Sequence, residues 1–152
     1  MQAAEQHAPS KQRLRLWLEM LRTTRFIENR VRGMLRSEFG ETLPRFDLMA
    51  ALHRSRSPMT MTELSRYLLV SNGKVTGLVD QLVEDELVMR RQKDGDRRTI
   101  FVQLTPRGNE VFSAMATIHE GWIDELLGPI GSDVADGMQT TLQRIRKGEG
   151  KS

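Results

Sequence analysis

Between Thr60 and Thr105 the chain runs through two short helical patterns, a tight turn and a basic hairpin without a break, and few folds accommodate that order. Thr60 with Glu63 three residues later is a capping pair, each side chain meeting a backbone donor that the other leaves free, so a helix is expected to start there. Leu64 and Leu68 sit one turn apart in it, and it runs out at Val70, Ser71, Asn72 and Gly73, where Ser71 can cap a second helix. In that second helix Val75, Leu78, Val79, Leu82 and Val83 fall at i, i+3, i+4, i+7 and i+8, a single stripe for burial.

The opposite face carries Asn72, Lys74, Thr76, Gly77, Asp80 and Gln81, polar or small residues gathered toward the N-terminal end. Asn, Gln and Lys can bond base edges, and a helix N-terminus can meet a phosphate, so this face suits the major groove of DNA. An acidic cluster, Glu84, Asp85 and Glu86, closes the helix. LVMRR and TIFVQL then flank QKDGDR, which predicts a hairpin turning at Asp94 and Gly95. Arg90, Arg91, Lys93, Arg97 and Arg98 outnumber Asp94 and Asp96 on this ribbon, and nucleic-acid phosphate is the natural counter-charge. Two helices followed by a basic hairpin make a winged helix-turn-helix.

Asp96-Arg97-Arg98, then Leu104-Thr105 after five intervening residues, then Gly108, resembles the wing of the MarR family of bacterial transcriptional regulators, whose wing carries Asp-x-Arg followed by Leu-Thr. The resemblance extends over roughly residues 11 to 147. It implies a dimer in which the second helix enters the major groove, and a wing arginine, Arg98 by position, enters the minor groove held by Asp96. TLPRFDLMAAL is similar to a string in members that control aromatic-acid catabolism, whereas the absence of cysteine removes the peroxide-sensing branch.

At 152 residues the chain is one domain's worth, and with 38% hydrophobic and 5% aromatic residues its core is modest, as befits a helical protein that completes its burial in a dimer. A net charge of +3 fits a nucleic-acid binder, but its distribution says more. After position 107 there are four basic and seven acidic residues, so the C-terminal third is expected to stay away from DNA. No cysteine means no disulfide framework and no thiolate metal site. No apolar run approaches the length of a membrane span and the N-terminus has no signal core, so a cytoplasmic protein without membrane contact is expected.

Residues 1 to 10 read as a mobile tail and 11 to 152 as a single domain. Its winged lobe covers about 42 to 105, and dimerisation helices cover about 11 to 39 and 106 to 147. In the first helix Leu14, Trp17, Leu18 and Leu21 face one way, Ile27, Val31, Met34 and Leu35 another, so its N-terminal half is expected to bury against a partner subunit and its C-terminal half against its own core. Gly40 ends it, Pro44 opens a short amphipathic helix, and Ser57, Pro58 and Met59 can supply an edge strand. Thr105 and Pro106 start a long helix that Gly128 and Pro129 stop, and Ser132 can cap the last one, with Val134, Met138, Leu142 and Ile145 on one face. The fold class expected is therefore mainly α with a small β-wing.

The DNA-reading set is Ser71, Asn72, Lys74, Thr76, Gly77, Gln81, Arg90, Asp96, Arg97 and Arg98. Arg22, Arg25, Phe26, Met49, His53, Met115 and His119 are the candidates for an effector pocket between dimer body and DNA-binding lobe. For most of them helix surface or core is the ordinary use. His7, His53 and His119 lack metal-ligand spacing, and His53 and His119 are expected to be partly buried. No nucleophile turn, phosphate-binding glycine loop or carboxylate pair supports an enzyme, and no cofactor is implied. The expectation is a homodimeric repressor of operator DNA released by a small aromatic or anionic ligand, such as an aromatic acid or its coenzyme A thioester. The alternative is a winged-helix regulator that acts through protein partners without an effector.

Overall fold

The computed structural model describes residues 8–148, and it is mainly helical with one small antiparallel sheet. Helix α1 spans Pro9–Phe39, α2 Leu43–Ser55, α3 Met61–Leu68, α4 Asn72–Glu84, α5 Pro106–Leu126 and α6 Ser132–Arg146. The strands are β1 Met59–Thr60, β2 Val88–Lys93 and β3 Asp96–Leu104, ordered β1-β3-β2. Two compact units are present, one ending at Ile118 and one beginning at His119, with α5 running through the boundary. Of the expected tail, residues 1–7, with His7, lie outside the described residues, while Pro9 and Ser10 already belong to α1, proline being well placed in a first turn.

Capping chemistry sets most boundaries. Gly40 takes the left-handed conformation, φ 62°, that ends α1, and its N–H donates to the Arg36 carbonyl. The Thr42 side chain accepts from the Arg45 N–H, Thr60 and Glu63 form the full capping box on α3, and Ser71 accepts from the Lys74 N–H. Two expectations need correcting. The edge strand is Met59–Thr60, not Ser57–Met59: Met59 pairs with Val102 and Thr60 with Phe101, whereas Ser57 is tied back to Ser55 through hydroxyl bonds. The cap of α6 is Gly131, and Ser132 is already helical.

The first unit has one core. Val31 and Leu35 of α1, Phe46, Leu48, Met49 and Leu52 of α2, Leu64 of α3, Val75, Val79 and Leu82 of α4, Val88 and Val102 of the sheet, and Phe112 and Met115 of α5 are all buried. Each fully buried aliphatic side chain contributes about 1.5 to 3 kcal/mol. The Phe46 and Phe112 rings pack 5.3 Å apart. The split expected along α1 is present: Val31 and Leu35 are buried, while Leu14, Trp17 and Leu18 stand exposed. In the second unit no α6 residue is buried, and Val134, Met138 and Ile145 lie open on its surface.

One close approach locks the wing to α5. The Thr105 N–H donates to the Leu87 carbonyl, the Thr105 hydroxyl donates to the Glu86 carbonyl, and the Gly108 N–H donates to the Thr105 hydroxyl. A Cβ on Gly108 would stand 1.9 Å from the Leu87 carbonyl oxygen, a backbone atom that cannot turn aside. Gly108→Ala is therefore expected to cost about 1 to 3 kcal/mol by overpacking, read as a lower denaturant midpoint. An unchanged midpoint would mean that α5 can slide at no cost.

Candidate nucleic-acid interface

Burying Val75, Leu78, Val79 and Leu82 against the core turns the rest of α4 outward. Ser71, Asn72, Lys74, Thr76, Gly77, Asp80 and Gln81 are all exposed. Ser71 is also the helix cap, so its hydroxyl is already engaged, and the Thr76 hydroxyl donates back to the Asn72 carbonyl. Asn72, Lys74 and Gln81 keep their side chains in solvent.

The hairpin stands beside this helix. β2 and β3 pair from Val88–Leu104 down to Lys93–Asp96, with an irregularity at Gln92–Lys93 and Gly95 at φ 82° in the turn. Arg97 and Arg98 are exposed and have no ion pair among the described residues. Asp96 accepts from the Arg98 backbone N–H at 2.9 Å and from the Thr99 hydroxyl at 2.7 Å. The Thr99 hydroxyl, and after it the Arg98 N–H, hold the Asp96 carboxyl below the usual carboxylate range. The aspartate thus orders the backbone of the wing turn, and the Arg98 guanidinium stays available.

Arg90 sits differently from its companions. Its guanidinium donates to the Asp80 carboxylate, joining β2 to α4. Arg91 reaches Gln103 across the sheet at 3.4 Å. Sequence reasoning missed the Asp80–Arg90 bridge because nothing in the spacing pairs a mid-helix acid with a strand residue ten positions later. It also missed a second tie, in which Arg45 pairs with Glu41 at 2.8 Å and with Asp85 at 2.6 Å, joining the start of α2 to the end of α4.

The effector candidates differ in their settings. Met49 and Met115 are core residues, Phe26 is exposed, and Arg22 pairs with Glu19 on the outer face of α1 at 3.8 Å. His53 is exposed, not partly buried, with its ring 5.0 Å from Phe112. His119 belongs to the second unit, where it meets Trp122 edge-on and partial burial lowers its pKa. Arg25 is exposed on α1. Among the described residues there is no group of three or more carboxylate or imidazole side chains that could hold a metal, and no helix long and apolar enough to cross a membrane.

A cleft of about 190 Å³ instead lies between α1, α2 and the first turns of α4, lined by Glu28, Arg32, Leu43, Asp47, Leu68 and Lys74 among others. Desolvation, then repulsion from Glu28, pushes the Asp47 carboxyl up to about 6, against the pull of Arg32. A carboxyl whose pKa is higher folded than unfolded destabilises the fold when ionised. That penalty is complete above about pH 6, fades as pH falls, and is gone below the ordinary value of 3.8. Asp47→Asn should therefore raise the melting temperature at pH 7 and lose the gain by pH 3.8. Thermal scans of both proteins across this range check it, and a gain independent of pH would refute the assignment.

Comparison with known proteins agrees with this geometry. Residues 42–100 match the model of the MarR family. The chain is 26% identical over 93 residues to the HTH-type transcriptional regulator MhqR of Bacillus subtilis, covering 61% of this chain and 63% of that protein's length. Among solved structures, a MarR family transcriptional regulator from Silicibacter pomeroyi superposes with a TM-score of 0.73 at 29% identity, over 93% of this chain and 99% of that one. A mutant of MarR from E. coli, complexed with operator DNA, superposes at 0.75 with 20% identity, over 91% of this chain and 98% of that one. These relatives are regulators and not enzymes, and the family match falls on the capped helix pair and the wing, so residues 42–100 carry the winged helix-turn-helix of the MarR family of transcriptional regulators.

Proposed function

We propose that this protein is a homodimeric repressor that binds a near-palindromic operator and is released by a small aromatic or anionic ligand. The observation that carries the DNA reading is the exposed polar face of α4 beside a wing whose Arg97 and Arg98 have no ion pair among the described residues. Asn72, Lys74, Thr76 and Gln81 read base edges in the major groove, with Ser71 and Gly77 at the closest approach of the backbone. Arg98 enters the minor groove, and Arg97 and Arg91 meet phosphate. Arg90, bridged to Asp80, holds the wing at its angle to the helix while adding to the positive field. The operator-bound relative of similar fold supports this placement.

Arg98→Ala is expected to weaken operator binding by about 1 to 3 kcal/mol while leaving the melting temperature unchanged. Fluorescence anisotropy at matched salt measures it, and wild-type affinity would remove Arg98 from the reading surface.

The dimer reading rests on apolar surface that the subunit leaves open: Leu14, Trp17 and Leu18 on α1, and Met138 and Ile145 on α6. Two-fold symmetry then places two half-sites roughly one DNA turn apart. Sedimentation at micromolar concentration should give a dimer, and footprinting should protect both half-sites. A monomer protecting one half-site would overturn the assembly. Release by a ligand requires that it bind the non-operator spacing of the lobes more tightly than the operator spacing, a difference of about 1 to 3 kcal/mol in ordinary cases.

A further inference from the structure

Methionine carries all the sulfur of this chain, which has nine methionines and no cysteine. Among the described residues two methionines are exposed, Met138 on α6 and Met89 on β2. Met138 lies on the apolar surface assigned above to a second subunit, whereas Met89 sits on the outer face of the wing at 40% exposure. The alternation of β2 explains its position: Val88 is buried, and Arg91 shares the outer face with Met89 two residues on. Directly across the ladder from Met89 stands Gln103. The Gln103 side-chain N–H donates to the Met89 sulfur at 3.3 Å, and its carbonyl oxygen accepts from the Arg91 guanidinium at 3.4 Å. One amide thus links an open thioether to the cation assigned above to phosphate.

We propose that Met89 is a site of reversible oxidation to the sulfoxide by a peroxide, and that the sulfoxide draws Arg91 away from DNA. The thioether sulfur attacks one peroxide oxygen, an S–O bond forms as the O–O bond breaks, and the sulfur gives up two electrons. With hydrogen peroxide the departing hydroxide takes the proton left on the transferred oxygen and leaves as water. A thioether is a weak hydrogen-bond acceptor, and oxidation replaces it with a polar oxygen that accepts strongly. On the face that Met89 shares with Arg91, that oxygen takes up the Gln103 amide more tightly and offers the guanidinium an acceptor inside the protein, in competition with phosphate. No thiol is present to intercept the oxidant first, and methionine sulfoxide reductases return the thioether. The effect on DNA rests on the operator reading above; the oxidation stands on the open thioether and the amide bonded to it.

Met89→Leu supplies the control, because it keeps the side-chain volume and removes the sulfur. The full-length protein is treated with hydrogen peroxide in rising dose, and peptide mass spectrometry follows each methionine. Met89 should gain one oxygen before any other methionine among the described residues, and the Gln103 side-chain amide resonance should move in the same samples. DNA affinity is read by anisotropy over a range of salt, on a labelled duplex that the untreated protein selects from a random-sequence pool. Oxidation should weaken it about two- to tenfold and lower the salt slope by about one phosphate contact. Met89→Leu should bind as the untreated wild type does and keep that affinity after the same dose, and methionine sulfoxide reductase should restore the wild type. Another methionine oxidised ahead of Met89, or a Gln103 amide that does not move, would overturn the site. An equal loss of affinity in treated Met89→Leu, or undiminished affinity in wild type oxidised at Met89, would overturn the link to Arg91. If the untreated protein selects no duplex, the operator reading falls instead, and the peptide map and the amide shift still decide the site.

Discussion

Everything in the winged lobe depends on burying one stripe of α4. Val75, Val79 and Leu82 are wholly out of water and Leu78 nearly so, and these four side chains together supply several kcal/mol of the lobe's stability. The burial is non-directional, but it fixes a direction all the same. A helix with one face in the core must present the opposite face to solvent, and in α4 that face holds Asn72, Lys74, Thr76 and Gln81. The polar face of α4 is thus positioned by apolar packing of the opposite face.

Orientation along the remaining axes comes from polar ties at the ends of the helices. Arg45 spans from Glu41 to Asp85 and clamps the last turn of α4 against the first turn of α2. Glu41 is the one buried charge in the described residues, and the Arg45 guanidinium and the Thr42 N–H, both at its Oε1, compensate it. At the far side, Gly108 lets α5 start against the Leu87 carbonyl, so the strand pair and the long helix share one fixed corner. The Asp80–Arg90 bridge then couples α4 to β2 directly. These three ties hold helix and hairpin in one relation.

The wing itself separates support from contact. Asp96 spends its oxygens on the Arg98 N–H and the Thr99 hydroxyl, which stiffens the turn and keeps the carboxylate ionised. The Arg97 and Arg98 side chains have no ion pair among the described residues, so an anion meeting them would not first have to break an internal one. Arg90 is the exception on the same ribbon, and its difference from Arg98 lies in reach: it lies in β2 alongside α4, whereas Arg98 sits close to the tip.

Local rules made most of this legible from residue order. The Thr60–Glu63 box, the Ser71 cap, the Gly40 stop, the Asp94-Gly95 turn and the stripe on α4 each depend on side chains within a few positions of one another, and each stands where the spacing placed it. The edge strand starts two residues later than expected because Met59 and Thr60 are chosen by their partners Val102 and Phe101, far along the chain, over the local preferences of Ser57 and Pro58. The same reason hid the Arg45 clamp, the Asp80–Arg90 bridge and the raised Asp47, all of which join residues from separate elements. It also explains why Met49 and Met115, chosen as pocket lining for their adaptability, belong to the core: periodicity marks a residue as apolar, but only packing decides whether its neighbours leave a gap. Periodicity and capping, acting over one or two turns, thus determined the elements and the outward face of α4, while distance in three dimensions decided which charges met and where the lobe stayed open.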